Sequence, residues 1–559
     1  MESLPITRDG NEPETPSVED DPALGLSRRT KFEILFAILL GLFLSALDQT
    51  IVGPVLPRIV TELHGQDLYT WVVTIFLLTS TVSVPIYGKL SDLYGRKPLL
   101  TFGIVLFLIG SALSGLSQEM WQLILFRGIQ GVGAGSIFPI ALAVIGDLFT
   151  PAERGKYQGL FGAVFGIAFL VGPFVGGYLT DHISWHWIFY VNLPIGIVAL
   201  VIIERLLPNV RGHATQVRID YLGVATLVAG LVPILIGLTL AETDGWSDPI
   251  VWAWMGFGLV FLAIFILVER RAAEPIIPLH LFRNRTFSAS MVAIFFATFG
   301  FGAAIIFLPL YFQVVEGASA TESGYRLLPF LFGLIFSSIA SGQIVSRTGR
   351  YKPILVVGLT LLVIGLALMT QLRFGTDDLT LAAWMFIAGL GVGPTFAVFT
   401  IVVQNAVAFH ELGTATSDLT LFRQIGTTVG ITMAFTLFRN NLSWGLLHDE
   451  IVKAGAPAAV VPATPPASFD PGALTSVGGA NPLDFLSQLP AELQAAFVNG
   501  FHSAFTIAIA NSVWLGVGAG VVAIFASLAL HEIPLRRTMG PQAARMAEAH
   551  RDMQAPAAD

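Results

Sequence analysis

The sequence predicts an all-α integral membrane protein of fourteen spans, grouped six, two and six, with both ends of the chain in the cytoplasm. Three observations predict it: an apolar composition with recurrent long apolar windows, a lopsided distribution of Lys and Arg, and an internal repeat. Of 559 residues, 54% are hydrophobic and 12% charged, with a mean hydropathy of +0.73, whereas a soluble domain carries about 25% charge. Windows of roughly 20 apolar residues, enough to cross about 30 Å of hydrocarbon, recur along the chain. The net charge of −8 names no partner, and no basic run suggests nucleic acid. With no cysteine, disulfides and thiolate metal sites are excluded.

Residues 1–31 are polar, acidic and Pro-rich, without a short apolar stretch before a cleavage site, and read as a disordered cytoplasmic tail. Spans follow near 33–53, 69–88, 98–116, 121–145, 157–180 and 186–206, giving an N-terminal half over 32–206. Residues 207–286 hold two inserted spans, near 219–240 and 250–270, with their linkers. A C-terminal half over 287–530 holds spans near 287–313, 321–346, 353–373, 381–407, 417–440 and 503–530. Within it, residues 441–502 form an external loop rich in Ala and Pro, where LPAELQAAFVNGF is expected to make a short surface helix. A substrate-handling or partner-docking role for this loop is the alternative. Residues 531–559 form a second cytoplasmic tail.

An even number of spans puts both ends on one side. If that side is the cytoplasm, inner tails and loops hold 23 of the 30 basic residues, while Arg58, Arg373, Arg439 and Lys453 lie outside. The positive-inside rule then selects this orientation. The repeat supports the grouping. Gly88, Gly95, Arg96 and Pro98 recur as Gly342, Gly349, Arg350 and Pro353, and Gly131, Gly133, Gly135 and Phe138 recur as Gly389, Gly391, Gly393 and Phe396. The two offsets nearly agree, and they exceed a six-span half by enough residues for two inserted spans. Parallel repeats of this kind are a transporter feature, with the substrate site where the halves meet near mid-membrane.

Four charges crowd into GKLSDLYGRK, the turn between spans two and three. Gly88 and Gly95 permit close approach and a tight turn, and Asp92 is suited to the N–H groups of a neighbouring helix N-terminus. Arg96 needs a carboxylate, and Asp147 at the end of span four is the candidate. With Lys89 and Lys97, this set reads as a latch that holds one conformation and breaks in another. The plainer alternative is that Lys89, Arg96 and Lys97 are topology anchors.

Inside the spans, Asp48 is the informative residue, because an ionised group at mid-membrane costs at least about 2.5 kcal/mol. At 1.5 Å per residue, Asp48 lies about 22 Å from the inner face and Arg127 about 21 Å, so the two can meet. Asp48 is the expected proton carrier, Arg127 its tuning partner and Gln130 a polar neighbour one turn on; a purely structural ion pair is the alternative. Asp418 is a secondary protonation candidate. Arg423 and Gln424 either line a cavity or, for Arg423, snorkel to the interface. In span five Gly162, Gly166, Gly172, Gly176 and Gly177 let helices pack closely, and Pro173 bends the span. His182 and His186 stand four apart without a third ligand and read as interfacial residues, with no metal site expected.

These stretches resemble a known family. GKLSDLYGRK is similar to the loop motif of the major facilitator superfamily, Gly-x-x-x-Asp-x-x-Gly-Arg-Lys, at every specified position. LDQTIVGPVLP resembles the first-span motif of its fourteen-span drug:proton antiporter branch, with Gly53 and Pro54 where Asn-Val is usual, and LILFRGIQGVGAG resembles the fourth-span motif. GIAFLVGPFVGG resembles the fifth-span exporter motif, followed by the branch-like WHWIFYVNLPIG. The resemblance covers about residues 30–540 and implies the major facilitator fold. It also implies that Gly172, Pro173, Gly176 and Gly177 bias export or block proton leak. The expectation is a proton-coupled multidrug efflux transporter, not an enzyme, moving lipophilic compounds, cationic ones among them, by alternating access. It would need no cofactor beyond the proton gradient, contact lipid and no nucleic acid, act as a monomer, and sit in a plasma membrane, the inner one of a bacterium. No Gly-x-x-x-x-Gly-Lys-[Ser/Thr] loop occurs, which disfavours direct use of ATP. A lipid or metabolite exporter of the same fold, an importer, and a non-transporting receptor or scaffold remain as alternatives.

Overall fold

The computed structural model describes residues 26–65, 68–208, 219–458, 460–461, 464 and 491–535. Among them the regular structure is helical, with no strand. In chain order the helices are α1 (Arg28–Glu62), α2 (Tyr69–Tyr94), α3 (Arg96–Ser114), α4 (Met120–Leu148), α5 (Pro151–His182), α6 (Trp187–Tyr190) and α7 (Asn192–Leu206). The inserted pair is α8 (Tyr221–Thr243) and α9 (Pro249–Glu269). The second half contains α10 (Arg285–Ile305), α11 (Phe307–Val314), α12 (Ala320–Arg326), α13 (Leu328–Thr348), α14 (Lys352–Met369), α15 (Asp378–Ala406), α16 (Leu412–Asn441), α17 (Trp444–Lys453) and α18 (Ala491–Leu528).

Polar residues at the ends set these boundaries. Ser27 accepts from the Thr30 N–H ahead of α1, and Asn284 accepts from Thr286 and Phe287 ahead of α10. Thr150 and Glu153 form a reciprocal cap with Pro151 in the first turn of α5. At the other end of α13, Gly349 takes the left-handed conformation at φ +71°. Helix α1 therefore starts at Arg28, inside the stretch expected to be tail. The rest of that tail, 1–25, lies outside the described residues, as do 536–559 and 465–490. The separate surface helix expected within LPAELQAAFVNGF is absent; its described part continues without a break into α18, because no Gly-Pro pair or polar cluster separates it from the last span. The loop expected to be external also contains α17, capped by Ser443.

Among the described residues, thirteen helical segments are long and apolar enough to cross a membrane, counting α6 with α7 and α10 with α11 as one each. Helix α16 is not among them, since Asp418, Arg423, Gln424 and a run of Ser and Thr dilute its apolar residues. At 30 residues it is about 45 Å long, and it packs against α2, α4, α10 and α18.

The repeat seen in sequence organises the packing. In the first half α1 packs on α5 and α7, α2 on α4, and α3 on α4 and α7; in the second, α10 packs on α16 and α18, α13 on α15, and α14 on α15 and α18. The halves meet at two corresponding seams, α5 against α13 and α2 against α16. Glycines set both. A side chain at Gly155 would overlap the backbone of Gly342, and one at Gly88 would overlap Ser417. The inserted pair α8 and α9 covers only one seam, with α8 lying on α2 and α16.

Candidate functional site

Three groups of polar residues lie at or beside these seams. The first is inside the N-terminal half. Asp48 is fully buried on α1, and Arg127 Nη1 of α4 lies 2.5 Å from its Oδ2. Gln130 Nε2 donates to Oδ1 at 2.8 Å, and Arg127 Nη1 also reaches Gln130 Oε1 at 2.8 Å. Arg127 stacks over Phe76, 4.1 Å from the ring centre. Sequence reading missed two members. Asn192, at the start of α7, donates to Asp48 Oδ1 at 3.0 Å and to Ser111 Oγ at 3.0 Å, and Ser111 donates to the Phe189 carbonyl. An amide inside the apolar WHWIFYVNLPIG run was the available signal for Asn192. Together these groups give the Asp48 carboxylate three N–H donors, enough to hold a buried charge.

Helix α5 holds α1 beside this cluster. Thr50 Oγ1 donates to the Ala168 carbonyl at 2.9 Å. A side chain at Gly172 would collide with Thr50, and one at Gly176 would lie 2.8 Å from the Ile51 carbonyl, one turn from Asp48. Gly177 and Pro173 face the other half instead, next to Thr321 and Gly324. Gly162 and Gly166 pack on Ser338 and Ile335 of α13.

The second group is at the helix ends assigned to the cytoplasm. Asp92 accepts from the N–H groups of Gly413 and Thr414 at 3.0 and 2.7 Å, and from the Thr414 hydroxyl at 2.7 Å. It thereby caps the N-terminus of α16 across the seam. Arg96 Nη1 pairs with Asp92 at 2.5 Å, and Arg96 Nε donates to Asp147 Oδ2 at 3.0 Å. Gly95 makes the turn at φ +97°. Lys89 and Lys97 point elsewhere: Lys89 pairs with Glu274, beyond α9, at 2.6 Å, while Lys97 reaches the Glu204 carbonyl on α7. At the corresponding place on the other seam, Ser346 stands where Asp92 would be and faces Gly155, so the Asp92 carboxylate has no counterpart there. Nearby, Gln158 Nε2 donates to Gln404 Oε1 at 2.9 Å, and Gln404 Nε2 donates to the Leu142 carbonyl, further tying the halves.

The third group is on α16. Asp418 is fully buried, and neither carboxylate oxygen has a hydrogen-bond partner among the described residues. It shares no hydrogen bond or ion pair with the Asp48 cluster. Arg423 does not snorkel: only 7% of the residue is exposed, and its guanidinium lies between Phe396 and Phe138, 4.9 and 5.4 Å from the ring centres. The Gln424 side-chain oxygen has no hydrogen-bond partner among the described residues. At the end of the bundle opposite Asp92, His186 stacks on Trp185 and its Nδ1 lies 2.7 Å from Ser184 Oγ; His182 stacks on Tyr178.

Comparison with known proteins bears on the family and the fold. A family model described as Major Facilitator Superfamily matches residues 38–431. The chain is 36% identical over 510 residues to the multidrug transporter protein MdtP of Bacillus subtilis, covering 88% of this chain and 92% of that one. It is 38% identical over 422 residues to multidrug resistance protein 3 of the same organism, covering 75% and 81%. Among solved structures, the human organic anion transporter MFSD10 superposes with a TM-score of 0.58 at 15% identity, over 89% of this chain and 99% of that one, a likeness of fold.

Proposed function

The chain belongs to the major facilitator superfamily, and from that premise we propose that it is a proton-coupled antiporter exporting lipophilic small molecules by alternating access. As a member of that family it is a multi-pass membrane transporter and not an enzyme. In our reading α16 is the fourteenth span, both chain ends are cytoplasmic, the protein works as a monomer, and the membrane is a bacterial inner membrane.

The observation that carries the proposal is the buried Asp48 with its three donors. A proton arriving on Asp48 removes the charge that Arg127 pairs with, which loosens α1 from α4. When the halves rock and substrate enters from the cytoplasm, restoring the pair expels the proton inward. The arrangement seen here is latched at the Asp92 end, so it corresponds to the state in which the interior is shut off from the cytoplasm. The multidrug names of the relatives support the substrate class, and the glycine face of α5 against α1 supports a rigid unit around the carrier. In this scheme Asp418 is the second protonation candidate, a buried carboxylate on α16 with no hydrogen-bond partner among the described residues.

Proton release on adding lipophilic compounds to purified protein in detergent, compared between wild type and Asp48→Asn, tests the reading. Release from wild type and none from the variant is the expected result. Equal release from both moves the carrier to Asp418. Binding without release from either favours the lipid or metabolite exporter, and full transport by Asp48→Asn favours a function that needs no proton.

A further inference from the structure

Arg423 carries a charge that no carboxylate among the described residues neutralises. It stands eleven residues into α16, about 17 Å along the helix, and is buried there. Nη2 donates to the Thr395 carbonyl at 3.2 Å. Nε and Nη1 have no hydrogen-bond partner, and no described carboxylate forms an ion pair with the group. The two aromatic faces beside it attract the cation but cannot accept its in-plane N–H groups.

Arg423 lines a cavity of about 40 Å³, bounded also by Thr298, Phe301, Thr395, Phe396 and Thr427. The hydroxyls of Thr298, Thr395 and Thr427 already donate to backbone carbonyls, so the unmet donors here belong to Arg423. The space suits one small polar head. On the seam side, Phe165 joins the two rings that flank Arg423, 5.6 Å from Phe138 and 5.5 Å from Phe396. The offset relating Phe138 to Phe396 also relates Phe165 to Arg423. Two corresponding positions of the halves, one apolar and one cationic, thus border the same pair of rings.

We propose that Arg423 binds an oxyanion, the carboxylate or sulfonate of the exported compound, in this cavity, while Phe138, Phe165 and Phe396 hold the compound's apolar body. The guanidinium fork matches an oxyanion's geometry, and a cationic head at the same place would meet a like charge and leave both donors unmet. The inference rests on the exporter reading and alters one expectation within it, that the compound is cationic.

The test uses aromatic probes matched in body and opposite in charge: naphthyl and pyrenyl sulfonates against naphthyl and pyrenyl trimethylammonium ions. Binding to the purified full-length protein is measured by calorimetry for wild type, Arg423→Gln and Arg423→Lys. The expected result is at least tenfold tighter binding of a sulfonate than of its matched cation. That preference is lost in Arg423→Gln and partly kept in Arg423→Lys, with unchanged melting temperatures showing that the variants fold. Equal or tighter binding of the cations, or sulfonate binding that Arg423→Gln leaves unchanged, overturns the assignment. Inorganic sulfate that binds as tightly as the aromatic sulfonates also overturns it, in favour of a free counter-ion. Transport of the same probes in proteoliposomes under an imposed pH gradient separates the two ideas. Cations that move while sulfonates do not refute the oxyanion site alone, whereas sulfonates that bind through Arg423 but never move refute the exporter reading alone.

Discussion

At the scale of single residues, the structure separates charges that look alike in the sequence. Lys89, Arg96 and Lys97 share one short turn, yet Arg96 pairs with two mostly buried carboxylates, Asp92 and Asp147, while the partners of Lys89 and Lys97 are more exposed. Removing one member of a buried pair costs about 3–5 kcal/mol, against about 0–1 kcal/mol for a pair near the surface. Arg96→Ala is therefore expected to lower the melting temperature in detergent far more than Lys89→Ala; equal effects would return all three residues to the role of topology anchors. Asn192→Ala removes a buried donor from Asp48 and is expected to cost about 1–3 kcal/mol, read as a lower melting temperature together with slower proton-driven transport. Asp48, Arg127 and Gln130 were legible because a charge in an apolar run is expensive and needs partners. Asn192 and Ser111 were not, since neutral polar residues carry little such signal and their convergence depends on how α3 and α7 are placed. The depth count that brought Asp48 to Arg127 worked because both sit on uninterrupted helices.

At the scale of helices, the sequence located apolar segments well and their ends less well. Breaks at Val191, Ile306 and Leu327 divide three expected spans into pairs of helices, and α18 extends outward through residues read as a separate element. Length and apolarity report where a chain can cross a membrane, but breaks and extensions are decided by neighbouring helices. The glycines of α5 show the same dependence. Motif resemblance treats Gly172, Gly176 and Gly177 as one set, whereas the first two face α1 and the third has only Thr321 Oγ1 nearby, at 3.5 Å. Overpacking a tight contact costs about 1–3 kcal/mol. Gly176→Val is expected to destabilise the protein and slow transport, while Gly177→Val leaves the melting temperature within a degree or two of wild type. The reverse order would place the contact that matters on the seam with α12 and not on α1.

At the scale of the whole molecule, two seams related by the repeat carry unequal locks. One has Asp92 across the N-terminus of α16, backed by Arg96 and Asp147 and covered by the inserted pair; the other has Ser346 before Gly155. The asymmetry was only partly legible: the sequence shows Asp92 replaced by Ser346 in the second copy, but not that α8 lies on the charged seam. A rocking motion must open both seams at once, so the charged one sets most of the bias toward the latched state. Hydrogen bonds to a charged group contribute about 1.5–3 kcal/mol each, and 1.4 kcal/mol changes a two-state ratio about tenfold. Asp92→Ala is thus expected to move the population by at least tenfold toward opening at the latch end. The chain has no cysteine, so spin labels can be placed as pairs without further change. Lys156→Cys with Arg347→Cys spans the unlatched seam near that end, where both residues are exposed, and Asp181→Cys with Gln371→Cys spans the opposite end. In the Asp92→Ala background the first distance lengthens and the second shortens if the latch sets the balance between states. If both distributions match those of the unmutated latch, the Asp92 cluster stabilises the fold without governing the motion, and the bias must come from the Gln158 and Gln404 contacts that join the halves deeper in the seam.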